Sequence, residues 1–207
     1  GVVGLRLLKE LKGEACYGLE PPVAGRKHVM VSRSFRRDVY ELEELKEAIS
    51  VYASRLGEKL RRYSQAANHL TVFLWANPHK RIRPDGRSCF AMSLELPLAT
   101  SNTNTLIQWA AAAVERLYEK GTNYKKAGLL AGGLQPAAVL QTNLFVGEQR
   151  QLRFAKAIEA MDKINRQHGR QAVRFASCGN AENTWRRKEQ WRSPRFTTRW
   201  EEVLRVR

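Results

Sequence analysis

The sequence lacks the features that mark membrane, secreted and metal-knuckle proteins. Its apolar runs, such as residues 70–76 and 109–114, are far shorter than the roughly 20 residues that cross a bilayer, so no transmembrane helix is expected. No basic-then-apolar leader signals secretion. The 3 cysteines are too widely separated for a disulfide framework or a CxxC metal site. We therefore expect a reduced, cytoplasmic protein of one domain with a small appendage.

Motifs of common enzyme classes are also missing. The sequence contains no DxD, HExxH or GxxxxGK[ST] pattern, and metal-dependent phosphoryl transfer needs clustered carboxylates. The 4 histidines are isolated in the sequence, and Cys89 has no evident base partner. We therefore expect no catalytic residue, no metal ligand and no cofactor in this chain, which should be inactive by itself.

Acidic residues are scarce relative to basic ones. The chain of 207 residues has 36 Lys and Arg against 20 Asp and Glu, which gives a formal net charge of +16. Residues 1–150 carry 22 basic and 14 acidic side chains, and residues 151–207 carry 14 and 6, so each part contributes +8. An excess of this size on a small chain indicates a polyanionic partner, and nucleic acid is the first candidate.

Hydrophobic periodicity predicts alternating strands and helices in the body of the chain. Alternation with period two predicts strands, and spacings of three and four residues predict amphipathic helices. In chain order these are a strand over 28–35, a helix over 42–63, strands over 70–75 and 89–96, a helix over 106–118 and a strand over 124–130. This order predicts an α+β fold of the split βαβ type, with a four-stranded sheet, both helices on one face and the other face open.

Turn and cap residues predict where these elements end. Residues 36–38 are expected to turn the chain, with Asp38 beginning a capping box for the first helix. Pro97 is expected to close the third strand, and the glycine pair at 132–133 to break the fourth. A further helix is predicted over about 149–166, in the transition to a small basic C-terminal subdomain.

Basic and hydroxyl residues occur on the first and fourth strands, which this topology can place side by side at the centre of the sheet. Arg and Lys side chains on strands, together with hydroxyl groups, can bind the phosphate oxygens of nucleic acid without recognising the base sequence. A basic loop at 80–87, with an Asp-Gly hairpin signal, adds further cations. The predicted DNA-binding residues are Ser32, Arg33, Ser34, Arg81, Arg83, Lys125 and Lys126.

A short segment after the sheet has the composition of a docking peptide. Gln141 is followed, after a two-residue spacer, by the aliphatic–aromatic pair Leu144 and Phe145. Leu and Phe can enter an apolar pocket while Gln forms a hydrogen bond beside it. From these residues alone, packing against the domain's own surface explains the segment better than docking does.

The C-terminal part interleaves tryptophan with cationic residues, at Trp185, Trp191 and Trp200. Such side chains can stack on nucleic-acid bases or on each other. They can also form the core of a small subdomain that has few other apolar residues. The sequence leaves both interpretations open.

Four segments, taken together and in order, resemble one known family. They are residues 32–35 (SRSF), 124–128 (YKKAG), 141–145 (QTNLF) and 193–200 (SPRFTTRW). They resemble the C-terminal half of UmuC-type Y-family translesion DNA polymerases, and the similarity covers essentially the whole chain. The resemblance implies the end of the thumb and a tether at 1–26, a little finger DNA-binding domain at 27–135, a linker with a clamp-binding peptide at 136–150, and a UmuC-type C-terminal domain at 151–207.

The same resemblance implies a function in translesion synthesis and SOS DNA repair, as the DNA-binding and clamp-binding portion of an error-prone polymerase. The partners it implies are duplex template–primer DNA, the sliding clamp through Gln141, Leu144 and Phe145, and UmuD′ and the recombinase filament through 151–207. The catalytic palm, with its Mg²⁺, would lie outside this chain.

Two other functions remain possible for these residues. The first is a free-standing RNA-binding module of the split βαβ type, although strands one and four offer few outward aromatic side chains for base stacking. The second is a protein-interaction adaptor, in which the charge serves only solubility.

Overall fold

The computed structural model describes residues 1–16, 26–77, 88–137, 148–169, 171–179, 185, 193–197 and 199–203. Its elements, in chain order, are α1 (Val2–Leu11), β1 (Val29–Val39), α2 (Leu42–Arg62), β2 (Gln65–Ala76), β3 (Cys89–Thr100), α3 (Thr103–Leu117), β4 (Tyr124–Pro136) and α4 (Glu148–Gln167). Two short 3₁₀ helices follow, at Ala176–Cys178 and Trp200–Glu202. No helix within these ranges is long and apolar enough to span a membrane.

The four strands form one antiparallel sheet in the order β1-β4-β2-β3. The predicted four-stranded sheet is therefore confirmed, and β1 and β4 are neighbours as expected. The expected position of β1 at the centre of the sheet is wrong, because β4 pairs with β2 along nearly its whole length and leaves β1 at the edge.

One face of the sheet is covered by the helices. On β2, Leu70, Val72 and Leu74 are fully buried, whereas His69 and Trp75, which point to the opposite face, are exposed. Contacts join α2 to β1 and β4, α3 to β2 and β3, and the two helices to each other. Both helices thus cover one face, as predicted. Because each buried Leu or Val side chain contributes about 1.5–3 kcal/mol, a one-residue slip of the strand is strongly disfavoured.

Strand β1 continues through the residues expected to turn the chain. It runs to Val39, and Asp38 is buried within it instead of capping α2. The N-cap residue of α2 is Glu41, which makes no capping hydrogen bond. The Asp38 carboxylate accepts hydrogen bonds of 3.2 and 3.1 Å from the Asn77 amide at the end of β2. The predicted capping box is therefore wrong, because a partner distant in sequence replaces the local one.

Strands β3 and β4 also run past their predicted breakers. β3 passes Pro97 and ends at Thr100. Since β3 is an edge strand whose register with β2 slips in this region, the missing amide N–H of proline is tolerated. β4 passes the glycine pair and ends at Pro136. Gly133 has a φ of +56°, and a Cβ there would overlap the side chain of Asn68, so this glycine shapes the strand without ending it.

The C-terminal part contributes to the core beneath the sheet. Helix α4 is present as predicted and buries Ile158. Cys178 and Trp185 are 1% and 4% exposed and belong to the same hydrophobic core as β1 and α2. The Trp185 ring makes edge-on contacts with Phe35 and Tyr52, each with a centroid distance of 6.1 Å. Trp185 is thus a core residue, and the core that it enters is that of the sheet domain.

Candidate nucleic-acid interface

Cross-strand pairing defines which side chains share the open face of the sheet. Residues directly opposite each other on neighbouring strands lie on the same face. Two adjacent rows of the open face consist of Ser34, Lys126, Trp75 and Cys89, and of Ser32, Gly128, Phe73 and Ala91. The structure therefore brings together three of the predicted DNA-binding residues, Ser32, Ser34 and Lys126.

Lys126 lies beside an exposed aromatic ring. Its ammonium is 5.9 Å from the centroid of the Trp75 ring, which is within cation–π range. Trp75 is 44% exposed, so the ring also presents a free apolar surface. This arrangement can hold a phosphate at Lys126 while a sugar or base lies against Trp75. Trp75 was not predicted as a site residue, and the period-two alternation over residues 69–72, extended along β2, places it on the open face.

Gly128 leaves room for the second aromatic side chain of this face. A Cβ at Gly128 would overlap the ring of Phe73 and lie 2.5 Å from Ser32 Cβ. The absence of a side chain lets the Phe73 ring lie across β4 at its centre. The Phe73 ring therefore packs directly on the backbone of β4 in the middle of the open face.

Arg33 lies on the other side of the sheet from Lys126. It pairs with Ala127, which is fully buried beneath the helices, so the Arg33 side chain starts from the helix-covered side at the edge of the sheet. The guanidinium is exposed and donates a hydrogen bond of 3.3 Å to the Ser32 carbonyl oxygen. Arg33 can reach a ligand only around the rim of β1.

Lys125 is the extra residue of a β-bulge, because its neighbours Tyr124 and Lys126 pair with consecutive residues of β2. Its ammonium lies 3.7 Å from Asp38 Oδ1, and the Asp38 side chain is only 3% exposed. Part of the Lys125 charge is thus balanced inside the protein. Of the two adjacent lysines, Lys126 contributes more to a free positive surface.

Tyr124 fixes the start of β4, directly before these lysines. Burial raises the pKa of the Tyr124 phenol, so the group stays neutral. Its oxygen accepts a hydrogen bond of 2.8 Å from the Glu119 amide, which holds the connection from α3. The ring also meets Phe90 edge-on, at a centroid distance of 6.1 Å. The approach of the chain to Lys125 is therefore rigidly defined.

The open face is not uniformly positive. Further along the strands, His69 pairs with Gly132 on one side and Glu95 on the other. Trp75 lies six positions along β2 from His69, which corresponds to roughly 20 Å. A polyanion should therefore bind at the end of the face that carries Lys126, away from the carboxylate of Glu95.

The remaining predicted site residues lie outside the described residues. These are Arg81 and Arg83 of the basic loop, and Gln141, Leu144 and Phe145 of the docking segment. In the part of the chain that the structure describes, no group of three or more His, Cys, Asp or Glu side chains could hold a metal ion.

Residues 26–144 match the C-terminal domain of the impB/mucB/samB family. This range includes the whole sheet together with α2 and α3. The chain belongs to the impB/mucB/samB family. Residues 155–206, which cover most of α4 and the segment beyond it, match a domain of unknown function (DUF4113).

Curated relatives within this family are similar over almost the whole chain. Protein UmuC of Salmonella typhimurium is 32% identical over 206 residues, which are 100% of this chain and 48% of the relative. Protein SamB of Salmonella typhimurium is 33% identical over 98% of this chain and 47% of its own length. Protein MucB of Escherichia coli is 32% identical over 98% of this chain and 47% of its own length. The chain thus spans about half the length of the curated relatives that it matches.

Solved structures with a similar chain path include two polymerase complexes. An insertion ternary complex of Dbh DNA polymerase has a TM-score of 0.40 at 13% identity. The match covers 63% of this chain and 35% of the polymerase chain. A complex of the beta-clamp processivity factor with the little finger domain of PolIV has a TM-score of 0.40 at 19% identity. The match covers 57% of this chain and 99% of the matched chain. At this level of similarity, neither structure bears on the function of this chain.

Proposed function

We propose that this chain is the DNA-binding and sliding-clamp-binding portion of an error-prone Y-family DNA polymerase that acts in translesion synthesis and SOS DNA repair. The observation that carries the proposal is the open sheet face, on which the ammonium of Lys126 and the hydroxyls of Ser32 and Ser34 lie in adjacent rows. Membership of the impB/mucB/samB family supports the same function.

The chemistry of this face suits a duplex backbone. The Lys126 ammonium and the two serine hydroxyls are hydrogen-bond donors for phosphate oxygens, and none of them reads a base sequence. A lesion-bypass enzyme needs this property, because it must hold template–primer DNA wherever damage occurs. In the full-length protein, such a grip would keep the primer terminus near the palm and contribute to the reaction through positioning.

Catalysis itself is proposed to belong to the rest of the full-length protein. Polymerase chemistry uses Mg²⁺ held by clustered carboxylates. The described residues offer no such cluster, so they do not fit a catalytic metal ion. In this proposal, the palm and its Mg²⁺ belong to the part of the full-length polymerase that this chain does not span.

The segment 141–145 is proposed as the clamp-binding peptide. Its support is the pattern of a glutamine, a two-residue spacer and an aliphatic–aromatic pair. Calorimetry of the chain with a bacterial sliding clamp tests this directly. The double substitution of Leu144 and Phe145 to alanine should abolish binding, whereas Asn143→Ala, in the spacer, should leave it unchanged. Equal binding by all three proteins contradicts the assignment.

Residues 151–207 are proposed to contact UmuD′ and the recombinase filament. The support is the resemblance of this part to the C-terminal domain of UmuC-type polymerases, together with its net charge of +8. Sedimentation of the chain with preformed recombinase filaments, and gel filtration with UmuD′, would measure the two contacts. Absence of both complexes at low ionic strength contradicts this part of the proposal.

The DNA-binding function is tested by fluorescence anisotropy of the chain with labelled duplex DNA over a series of salt concentrations. The expected result is affinity that falls steeply with salt, with a logarithmic slope of about −0.9 for each phosphate neutralised. Single-stranded RNA of equal length is added as a competitor. Binding that prefers the RNA, or no binding to any nucleic acid at low salt, contradicts the proposed function.

A second candidate is binding of single-stranded RNA, and one observation favours it. The structure places Trp75 and Phe73 on the open face of a central strand, where RNA-binding modules of this topology stack bases. The substitution Trp75→Ala separates the two functions. It should remove most single-strand affinity if bases stack on the ring, and it should change duplex affinity little if phosphates carry the binding.

A further inference from the structure

Strand β1 contains an irregular stretch next to the proposed interface. Its pairing with β4 is regular up to Ser34, which faces Lys126, and resumes at Val39, which faces Tyr124. Four residues of β1, 35–38, therefore stand opposite a single residue of β4, Lys125. A regular ladder of backbone hydrogen bonds does not hold this stretch, so its conformation depends on other contacts.

The C-terminal part of the chain contacts this stretch through Trp185. The Phe35 ring meets the Trp185 ring at a centroid distance of 6.1 Å and an interplanar angle of 78°. The next residue, Arg36, donates its backbone N–H to the Trp185 carbonyl oxygen at 3.1 Å. Trp185 is 4% exposed and also contacts Tyr52 of α2. One residue thus fixes both a side chain and a backbone amide of the irregular stretch.

The same stretch is linked to the lysines of the interface at its other end. Asp38 lies 3.7 Å from the Lys125 ammonium and accepts two hydrogen bonds from Asn77. Lys125 directly precedes Lys126 on β4, and Ser34 directly precedes the stretch on β1. A movement of residues 35–38 would therefore shift Ser34, Lys125 and Lys126 together.

We propose that Trp185 is a positioning residue for the nucleic-acid interface. Its ring packs between Phe35 and Tyr52, and its carbonyl oxygen accepts a hydrogen bond from the Arg36 amide. These contacts set the conformation of β1 at the place where Ser32, Ser34 and Lys126 would meet a polyanion. The proposal rests on the proposed nucleic-acid-binding function. It assigns to the C-terminal part of the chain a role in the grip of the sheet domain.

A second buried residue of the C-terminal part provides a matched control. Cys178 is 1% exposed, and its sulfur lies 3.5 Å from Ser54 Oγ on α2. Both Cys178 and Trp185 contact α2 and hold the C-terminal part against the sheet domain, and Trp185 also contacts β1 through Phe35 and Arg36. A general loss of docking should weaken DNA binding in both variants, and a specific effect on β1 only in the tryptophan variant.

The test uses the full chain and the variants Trp185→Ala, Trp185→Phe and Cys178→Ala, at a temperature where each is folded by circular dichroism. Duplex DNA affinity is measured by anisotropy, and exchange of the Arg36 amide is measured by NMR or mass spectrometry. We expect Trp185→Ala to weaken duplex affinity roughly 3- to 10-fold and to speed Arg36 exchange. Trp185→Phe, which keeps an aromatic ring, should recover part of both, and Cys178→Ala should change affinity less than about twofold.

Two results overturn the proposal. One is a folded Trp185→Ala protein that binds duplex DNA with wild-type affinity. If that variant does not fold, the proposal is overturned by a Trp185→Phe protein in which the Arg36 amide exchanges faster but duplex affinity is that of the wild type. The other is an equal loss of affinity in Cys178→Ala. If the wild-type chain binds no nucleic acid, the proposed function fails, and unchanged Arg36 exchange in the tryptophan variants then rejects the positioning contact independently.

Discussion

The Arg61 guanidinium binds the carboxylate of Asp162 through two hydrogen bonds, of 2.6 and 2.9 Å, across 101 residues of sequence. The same guanidinium donates to the Ser101 carbonyl oxygen at 2.7 Å and to Thr103 Oγ1 at 2.9 Å. Arg61 lies on α2, Thr103 begins α3 and Asp162 lies on α4. One side chain therefore joins all three helices and fixes the C-terminal part to the sheet domain.

The substitution Arg61→Ala should lower the free energy of unfolding by about 3 kcal/mol or more, because it leaves a largely buried carboxylate and two backbone or hydroxyl acceptors without their donor. Asp162→Asn keeps the shape and should cost only about 1–2 kcal/mol. Urea unfolding measures both values. Glu43→Gln, in an exposed pair with Lys46, is the control and should change stability by less than about 0.5 kcal/mol. An equal cost for Arg61→Ala and the control would refute the joining role.

The substitution Gly128→Ala should destabilise the domain by about 1–3 kcal/mol, because the new Cβ overlaps the Phe73 ring and crowds Ser32. Gly132→Ala is a matched control on the same strand and the same face. Its Cβ would meet no atom closer than 3.4 Å, which is ordinary contact. Thermal unfolding compares the two variants. If they lose the same stability, the close approach of Phe73 to Gly128 is not a determinant of this face.

The substitution Lys126→Ala should reduce the logarithmic salt slope of duplex binding by about 0.9, the value for one lost phosphate contact. Lys46→Ala removes the same charge from α2, on the helix-covered side of the sheet. There, hydrogen bonds to Glu115 and Glu43 raise the pKa of Lys46 and commit its charge within the protein. The salt slope of the Lys46 variant should match that of the wild type. A slope that falls equally in both variants would place the binding surface elsewhere.

The Arg195–Glu202 pair in the C-terminal part should respond to acid in a defined direction. Hydrogen bonds from the Arg195 side chain and backbone lower the pKa of the Glu202 carboxyl. A carboxyl whose pKa is lowered on folding stabilises the folded state at pH values above the ordinary pKa of the group. This contribution disappears as the pH falls through the lowered pKa. NMR titration of Glu202 should give a midpoint below that of a free glutamate, and Arg195→Leu should raise it. An unchanged midpoint in the variant would exclude the guanidinium as the cause.

The sequence predicted the helices better than the strands, for a physical reason. The predicted helix over 42–63 agrees with α2 to within one residue, because amphipathic spacing is a local property of the chain. Strand ends depend on partners that are distant in sequence. The sequence predicts Asp38 as a helix cap, but it lies in a strand and binds Asn77. The sequence predicts Pro97 as a strand end, but it lies within an edge strand.

The candidate site was predicted in part. Ser32, Ser34 and Lys126 share the open face, as the order of the strands implied. Arg33 lies on the other side, because successive side chains of a strand point to opposite faces. This alternation is visible in the sequence and separates Arg33 from Ser32 and Ser34. Trp75 was not predicted, because residues 72–76 are all apolar and this run by itself does not distinguish its side chain from those of the core.

The sequence by itself determined the order of elements, the excess of positive charge and the segments that resemble UmuC-type polymerases, because these are properties of neighbouring residues along the chain. Only the tertiary structure decided that β1 lies at the edge of the sheet, that Lys126 meets Trp75 and that Trp185 enters the core against Phe35. Each of these depends on which distant segments bury apolar surface together. That choice is made by the free energy of the whole domain, and no local pattern contains it.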